Sequence, residues 1–204
     1  GDVMSLVLIL LVPLLGGVLA ALAAPLAKAA ARWLSLLAMV AGLAATVSAW
    51  AGRPSTSGDW AAHLAHDWIP RFNIRFELAL DGLGVVLLLL TFVLGLVAVL
   101  MSWSEVTERV GLYHLCLLWV VAGVAGVFMA VDLILFYLLW ELMLLPMSAL
   151  IALWGSSRRL AAAIKFFLFT QAGGLAMLLA ILGLALAHRG ATGSLSFALG
   201  DLLG

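Results

Sequence analysis

An all-α integral membrane protein is the fold class this sequence predicts, and three observations carry it. Of 204 residues, 66% are hydrophobic and only 10% charged, where a soluble domain carries roughly a quarter. Mean hydropathy is +1.26. The apolar residues gather into long runs, six of which reach the ~20 residues a helix needs to cross a hydrocarbon core of about 30 Å.

Taken in chain order, the predicted spans are 4–24, 30–50, 83–103, 112–130, 133–154 and 161–187. The first run has the length of a signal-peptide core. A second apolar run follows almost at once, so a retained first helix is expected. Segment 1–50 is therefore read as helices 1 and 2, and 83–190 as helices 3 to 6. Between the fourth and fifth runs stand only Val131 and Asp132, which predicts a tight turn. The long connection 51–82 is extramembrane. Within it Ile74, Phe76, Leu78 and Leu80 alternate with Arg75, Glu77 and Ala79, a period of two that predicts a strand, in a short hairpin lying over the helix ends. The stretch 191–204, Gly/Ser-rich and then weakly apolar, is expected as a terminal loop or interfacial segment.

Charge narrows the function classes. Lys+Arg and Asp+Glu both number 10, with no basic run to grip a phosphate backbone. No metal-ligand or dinucleotide motif occurs. The single cysteine, Cys116, has no internal partner and reads as small core filler. Counting Lys and Arg by loop puts Lys28, Arg32, Arg109, Arg158 and Arg159 on one side. Arg53, Arg71, Arg75 and Arg189 fall on the other, spread over a longer stretch that also carries Asp59, Asp67, Glu77 and Asp81. The positive-inside rule then predicts an outer N-terminus. Trp33, Trp50, Trp103 and Trp154 fall at predicted helix ends, as interfacial aromatic belts do.

Two charges lie inside predicted spans. In YLLWELMLLPM, Glu141 stands eight residues into the fifth span, roughly 12 Å deep at 1.5 Å per residue. Lys165 lies six residues past Arg159, roughly 9 Å in by the same rise. An intramembrane ionisable group is costly, and functional by default. Tyr137 and Ser148 share the face of Glu141 at 100° per residue. Pro146 lacks an N–H and leaves the carbonyl of Leu142 without its helical donor, a place to hold water beside a carboxylate. Lys165 shares its face with Ala161, Phe169, Ala172 and Ala176, small enough in part for another helix to approach. Gln171, Gly173 and Gly174 add polarity to the sixth helix, with Gln171 on another face. Alternatives stay open at this point. Lys165 is either a relay or a side chain snorkelling to the surface. Glu141 is either a carboxylate whose ionisation is switched by a mobile cation or a neutral hydrogen-bonding anchor.

The runs LWELMLLPMSALIALWG and AAAIKFFLFTQAGGLAML, with WIPRFNIRFELALDGLG upstream, resemble the antiporter-like subunits of respiratory complex I, the proton-pumping NADH:quinone oxidoreductase, and among these the M type. The resemblance runs from the start of the chain to about residue 190. It implies a fold of about fourteen helices in two inverted repeats, of which this chain holds the N-terminal part and stops within the first repeat, as a fragment would. It also implies that Glu141 forms an ion pair with a lysine on a seventh helix, absent here, and that opening and closing this pair couples quinone reduction to proton pumping. Lys165 matches a sixth-helix lysine of the family. The expected translocating set is thus Glu141 and Lys165, supported by Tyr137, Ser148 and Pro146. No cofactor is expected in this chain; FMN, iron–sulfur clusters and quinone are expected in partner subunits. The expected partners are neighbouring antiporter-like membrane subunits and the lipid of a bacterial inner membrane. Related multisubunit cation/proton antiporters and membrane-bound hydrogenases share this pattern, and a purely structural membrane scaffold is the reading from a different class.

Overall fold

The computed structural model describes residues 2–52 and 60–203; Arg53 and Asp59 of the orientation count lie outside the described residues. Six helices among these are long and apolar enough to cross a membrane: α1 (Asp2–Ala23), α2 (Lys28–Ala51), α3 (Gly82–Glu105), α4 (Val110–Met129), α5 (Leu133–Trp154) and α6 (Arg159–Thr192). A short α7 (Leu199–Leu203) follows. The six predicted spans are all present. The largest difference is α6, whose 34 residues make a rod of roughly 51 Å. HRGAT holds no proline and a single glycine, too little to stop the helix, so the last turns continue until Gly193, whose φ of 82° and N–H to Arg189 O close the end with a left-handed cap.

Helices in a bilayer gain little from burying apolar surface against one another, so close backbone approach decides where they touch. Glycines supply it. A methyl at Gly16 would collide with Ala38 and one at Gly42 with the Phe92 ring, fastening α2 to α1 and α3. At Gly123 and Gly126 it would meet Met143 and Leu139, fastening α4 to α5. Between them lies one main core, with Leu6, Ile9, Met39, Leu88, Phe92 and Leu118 fully buried. Because this core depends on contact distance, Gly42→Leu is expected to cost several kcal/mol, in the range of overpacking plus backbone displacement, about 1–3 kcal/mol or more. A thermal unfolding curve in detergent measures it, and an unshifted curve would refute the packing argument.

The predicted strand has its partner: β1 (Ala62–Ile69) and β2 (Ile74–Leu80) pair antiparallel, Ala62 opposite Leu80 and Asp67 opposite Arg75. Pro70–Phe72 form a 3-10 turn, and Asn73 closes it at φ 51°, a conformation asparagine tolerates. The hairpin lies across the α4–α5 turn, where Val131 N donates to Glu77 O at 3.1 Å. Asp132 is fully buried there. Its Oδ1 accepts from Ile134 N and Leu135 N at the start of α5, and its Oδ2 accepts from Arg75 N in β2. The terminal stretch folds back onto the same place. Leu133 N donates to Phe197 O and Leu199 N to Val131 O, while Phe197 packs with Ile74, Ile181 and Ala185.

Alternating helix directions bring the α1–α2, α3–α4 and α5–α6 turns to the opposite end. There Lys28 Nζ donates to Thr107 O, Arg32 Nη2 to Val106 O, and Arg159 Nη1 to Leu153 O. Three of the tryptophans meet them: Trp33 and Trp103 stack edge to face at 5.3 Å, and Trp154 lies 5.2 Å from Tyr113.

Candidate functional site: Glu141 between α5 and α6

α5 and α6 are an antiparallel pair, and Glu141 sits between them, half-buried. Its Oε1 accepts a long hydrogen bond, 3.5 Å, from Gln171 Nε2 of α6. The same oxygen lies 2.5 Å from where a Cβ on Gly174 would stand, with the Tyr137 ring 3.9 Å from that point. Tyr137, one turn before Glu141, interacts with the carboxylate. On the α4 side Glu141 borders a cleft of about 300 Å³ lined by Leu115, Cys116, Trp119, Leu142 and Pro146. The group thus has polar neighbours on α6 and on its own helix, and an apolar recess on α4.

The other expected residues fall at differing distances from it. Pro146 is buried and interrupts no turn of α5, which runs on to Trp154. Its carbonyl-freeing effect falls on Leu142, in the wall of the same cleft. Ser148 shares the face but gives its hydroxyl to Leu145 O at 2.8 Å, the back-bonding common for helical serine. Lys165 is exposed on α6. At 1.5 Å per residue it lies roughly 13 Å along the helix from Gly174, and no ion pair joins it to Glu141 among the described residues. Its face-mates Ala161, Phe169, Ala172 and Ala176 are exposed as well, so this chain leaves that face of α6 uncovered. His114, fully buried in α4, stands edge-on to Tyr113 with 5.4 Å between ring centres, and neither of its ring nitrogens has a hydrogen-bond partner among the described residues.

In the sequence, Gln171 and Gly174 read as polar or slack points of α6, off the face of Lys165, and are not placed beside Glu141. They stand three apart and so share a helix face, a signal that was available. Which face of α6 meets Glu141 was not, because α6 is apolar all round. Chemically, the site holds one ionisable oxygen pair, neutral donors beside it, and no cation among the described residues. Also among the described residues, no cluster of three His, Cys, Asp or Glu could hold a metal ion.

Comparison with known proteins agrees with this architecture. Residues 130–199, from the α4–α5 turn through the end of α6 to the docked tail, match the family described as NADH:quinone oxidoreductase/Mrp antiporter, TM. NADH-quinone oxidoreductase subunit M of Pseudomonas aeruginosa is 43% identical over 96% of this chain and 41% of its own length. The subunit M of Escherichia coli K12 is 41% identical over 96% of this chain and 40% of its own. A chain of respiratory complex I from Thermus thermophilus superposes with a TM-score of 0.75 at 27% identity, covering 97% of this chain and 38% of that one. The chain therefore spans about two fifths of the length of the relatives it matches. Residues 130–199 thus carry the antiporter-like membrane module of the NADH:quinone oxidoreductase and Mrp antiporter family, and nearly the whole chain is similar to the N-terminal part of M subunits.

Proposed function

We propose that this chain is part of a proton-translocating membrane subunit of NADH:quinone oxidoreductase, and that Glu141 is the group that takes up and releases the proton. The observation that carries the reading is the setting of Glu141. The carboxylate lies at half-depth in a spanning helix beside the neutral Gln171 and Tyr137, with no ion-pair partner among the described residues. A cation arriving from a further helix favours the ionised form, and its withdrawal favours the protonated one. The seventh-helix lysine implied by the family supplies that cation. Flavin, iron–sulfur centres and quinone belong to partner subunits, and neighbouring antiporter-like subunits pack against the uncovered faces of α5 and α6 in a bacterial inner membrane. Copurification of the full-length subunit with flavin and iron–sulfur proteins, together with quinone-driven acidification of vesicles, tests this assignment. Copurification with antiporter subunits alone would move it to the Mrp branch.

One observation favours a second reading. Gln171 and Tyr137 serve a protonated carboxylic acid as well as a carboxylate, so Glu141 can also be a static anchor between α5 and α6. Glu141→Gln separates the two.

Lys165 ranks below Glu141 in this scheme. It is exposed, and its stem reaches toward the end where Arg158 and Arg159 stand. Lys165→Ala in the full-length subunit is expected to retain most of the pumping; a loss as deep as that of Glu141→Ala would reverse the ranking. For orientation, single cysteines at Val3 and Ser157 on a Cys116→Ser background are expected to label from opposite sides, Val3 from outside. Labelling of both from one side would overturn the assigned topology.

A further inference from the structure

Building on the Glu141 reading, we infer that Gly174 and Gln171 form a seat on α6 for the Glu141 carboxylate and act as positioning residues for it. Three observations converge. Gly174 is buried, and a methyl there would stand 2.5 Å from Glu141 Oε1, so the carboxylate occupies the volume that any other side chain at 174 would fill. Gln171, one turn earlier on the same face, donates to that same oxygen at 3.5 Å. The neighbouring Gly173 is exposed and meets nothing within 4 Å, so only the second of two consecutive glycines makes room for the acid. Glycine is the poorest helix former after proline, and at 174 its lack of a side chain is what lets α5 place a carboxylate directly against the α6 backbone.

The seat decides which surroundings the carboxylate samples. Tyr137 on its own helix interacts with it, and Cys116 on α4 lines the cleft it borders. α6 presents the neutral Gln171 at this level, with Lys165 farther along and Arg158 and Arg159 at its start. A side chain at 174 drives the carboxylate off α6, away from Gln171 and toward the apolar cleft of Leu115, Trp119 and Pro146.

The test reads the acid itself, independently of pumping. The full-length subunit in its assembled complex is treated with a hydrophobic carbodiimide, and labelling of Glu141 is timed by peptide mass spectrometry. Gly174→Ala is expected to change the labelling rate by at least about threefold, near the low end of coupling between touching groups. Gly173→Ala, which adds the same methyl one residue away, is expected to leave it unchanged. Gln171→Leu, of similar size but with no donor, is expected to shift the rate in the same direction as Gly174→Ala. In a Glu141→Asp background the acid no longer reaches position 174, so Gly174→Ala is expected to lose its effect. Equal rates for the parent and Gly174→Ala, or equal changes at 173 and 174, would overturn the seat. If Glu141→Gln pumps normally, the proton-transfer reading fails while this labelling result still stands or falls on its own.

Discussion

Glu141→Gln, placed in the full-length subunit of an assembled complex, is expected to remove most quinone-coupled proton pumping while electron-transfer centres stay intact. The substitution keeps volume, helix propensity and the capacity to bond Gln171, whose donor lies 3.5 Å from Glu141 Oε1. It removes ionisation alone. A positioned proton-transfer group typically contributes about 10²–10⁴-fold, so the pumping rate should fall by an order of magnitude or more. A cation that approaches in the wild-type subunit would also lose its counter-charge, and leaving one member of a buried pair alone costs about 3–5 kcal/mol. Glu141→Asp should retain part of the activity, because the charge survives on a shorter stem. Proton uptake into vesicles, with a parallel check of assembly, decides the matter. Near-normal pumping by a fully assembled Gln variant would make Glu141 the static anchor of the alternative reading.

The second large effect concerns stability. Asp132→Ala is expected to destabilise the subunit by about 1.5–5 kcal/mol, the sum of a lost N-cap, about 0.5–2 kcal/mol, and a buried donor left unpaired, about 1–3 kcal/mol. The carboxylate is fully buried and accepts from three backbone amides, two opening α5 and one in β2. The flanking residues Val131 and Leu133 carry the backbone bonds that dock the terminal stretch. One side chain therefore ties helix start, hairpin and tail together. Asp132→Asn, an equally good cap, should lose less than half as much. Thermal unfolding of the solubilised subunit, with proteolysis at the Pro70–Phe72 turn as a local probe, measures both variants. An Ala variant as stable as the parent would show that the hairpin is held by its apolar face alone.

Much of this protein was determined by its sequence because the bilayer is a demanding solvent. Hydrocarbon thickness sets a length that apolar runs must meet, and all six helices could be counted before any packing was considered. Period-two alternation from Ile74 to Leu80 marked β2, although the folded hairpin exposes no residue of β2 and leaves the wet side to β1. Glu141 stood out because a charge at that depth is too costly to be incidental. Other features came only from the tertiary structure. In a helix apolar on every side no stripe says which face is inward, and membrane helices meet where backbones can approach rather than where surface is apolar. So the choice of Gln171 and Gly174 over Lys165 as the α6 residues beside Glu141 could not be read from spacing along α6. Within the polar stripe the Ser148 hydroxyl donates to a carbonyl of its own helix, Leu145 O, a bond that the spacing of polar residues does not reveal. Asp132 looked like half of a two-residue turn. Its role became visible only when β2, 57 positions earlier at Arg75, was folded against it, because a buried carboxylate is defined by the donors that surround it, and those come from strands and helices the local sequence does not contain.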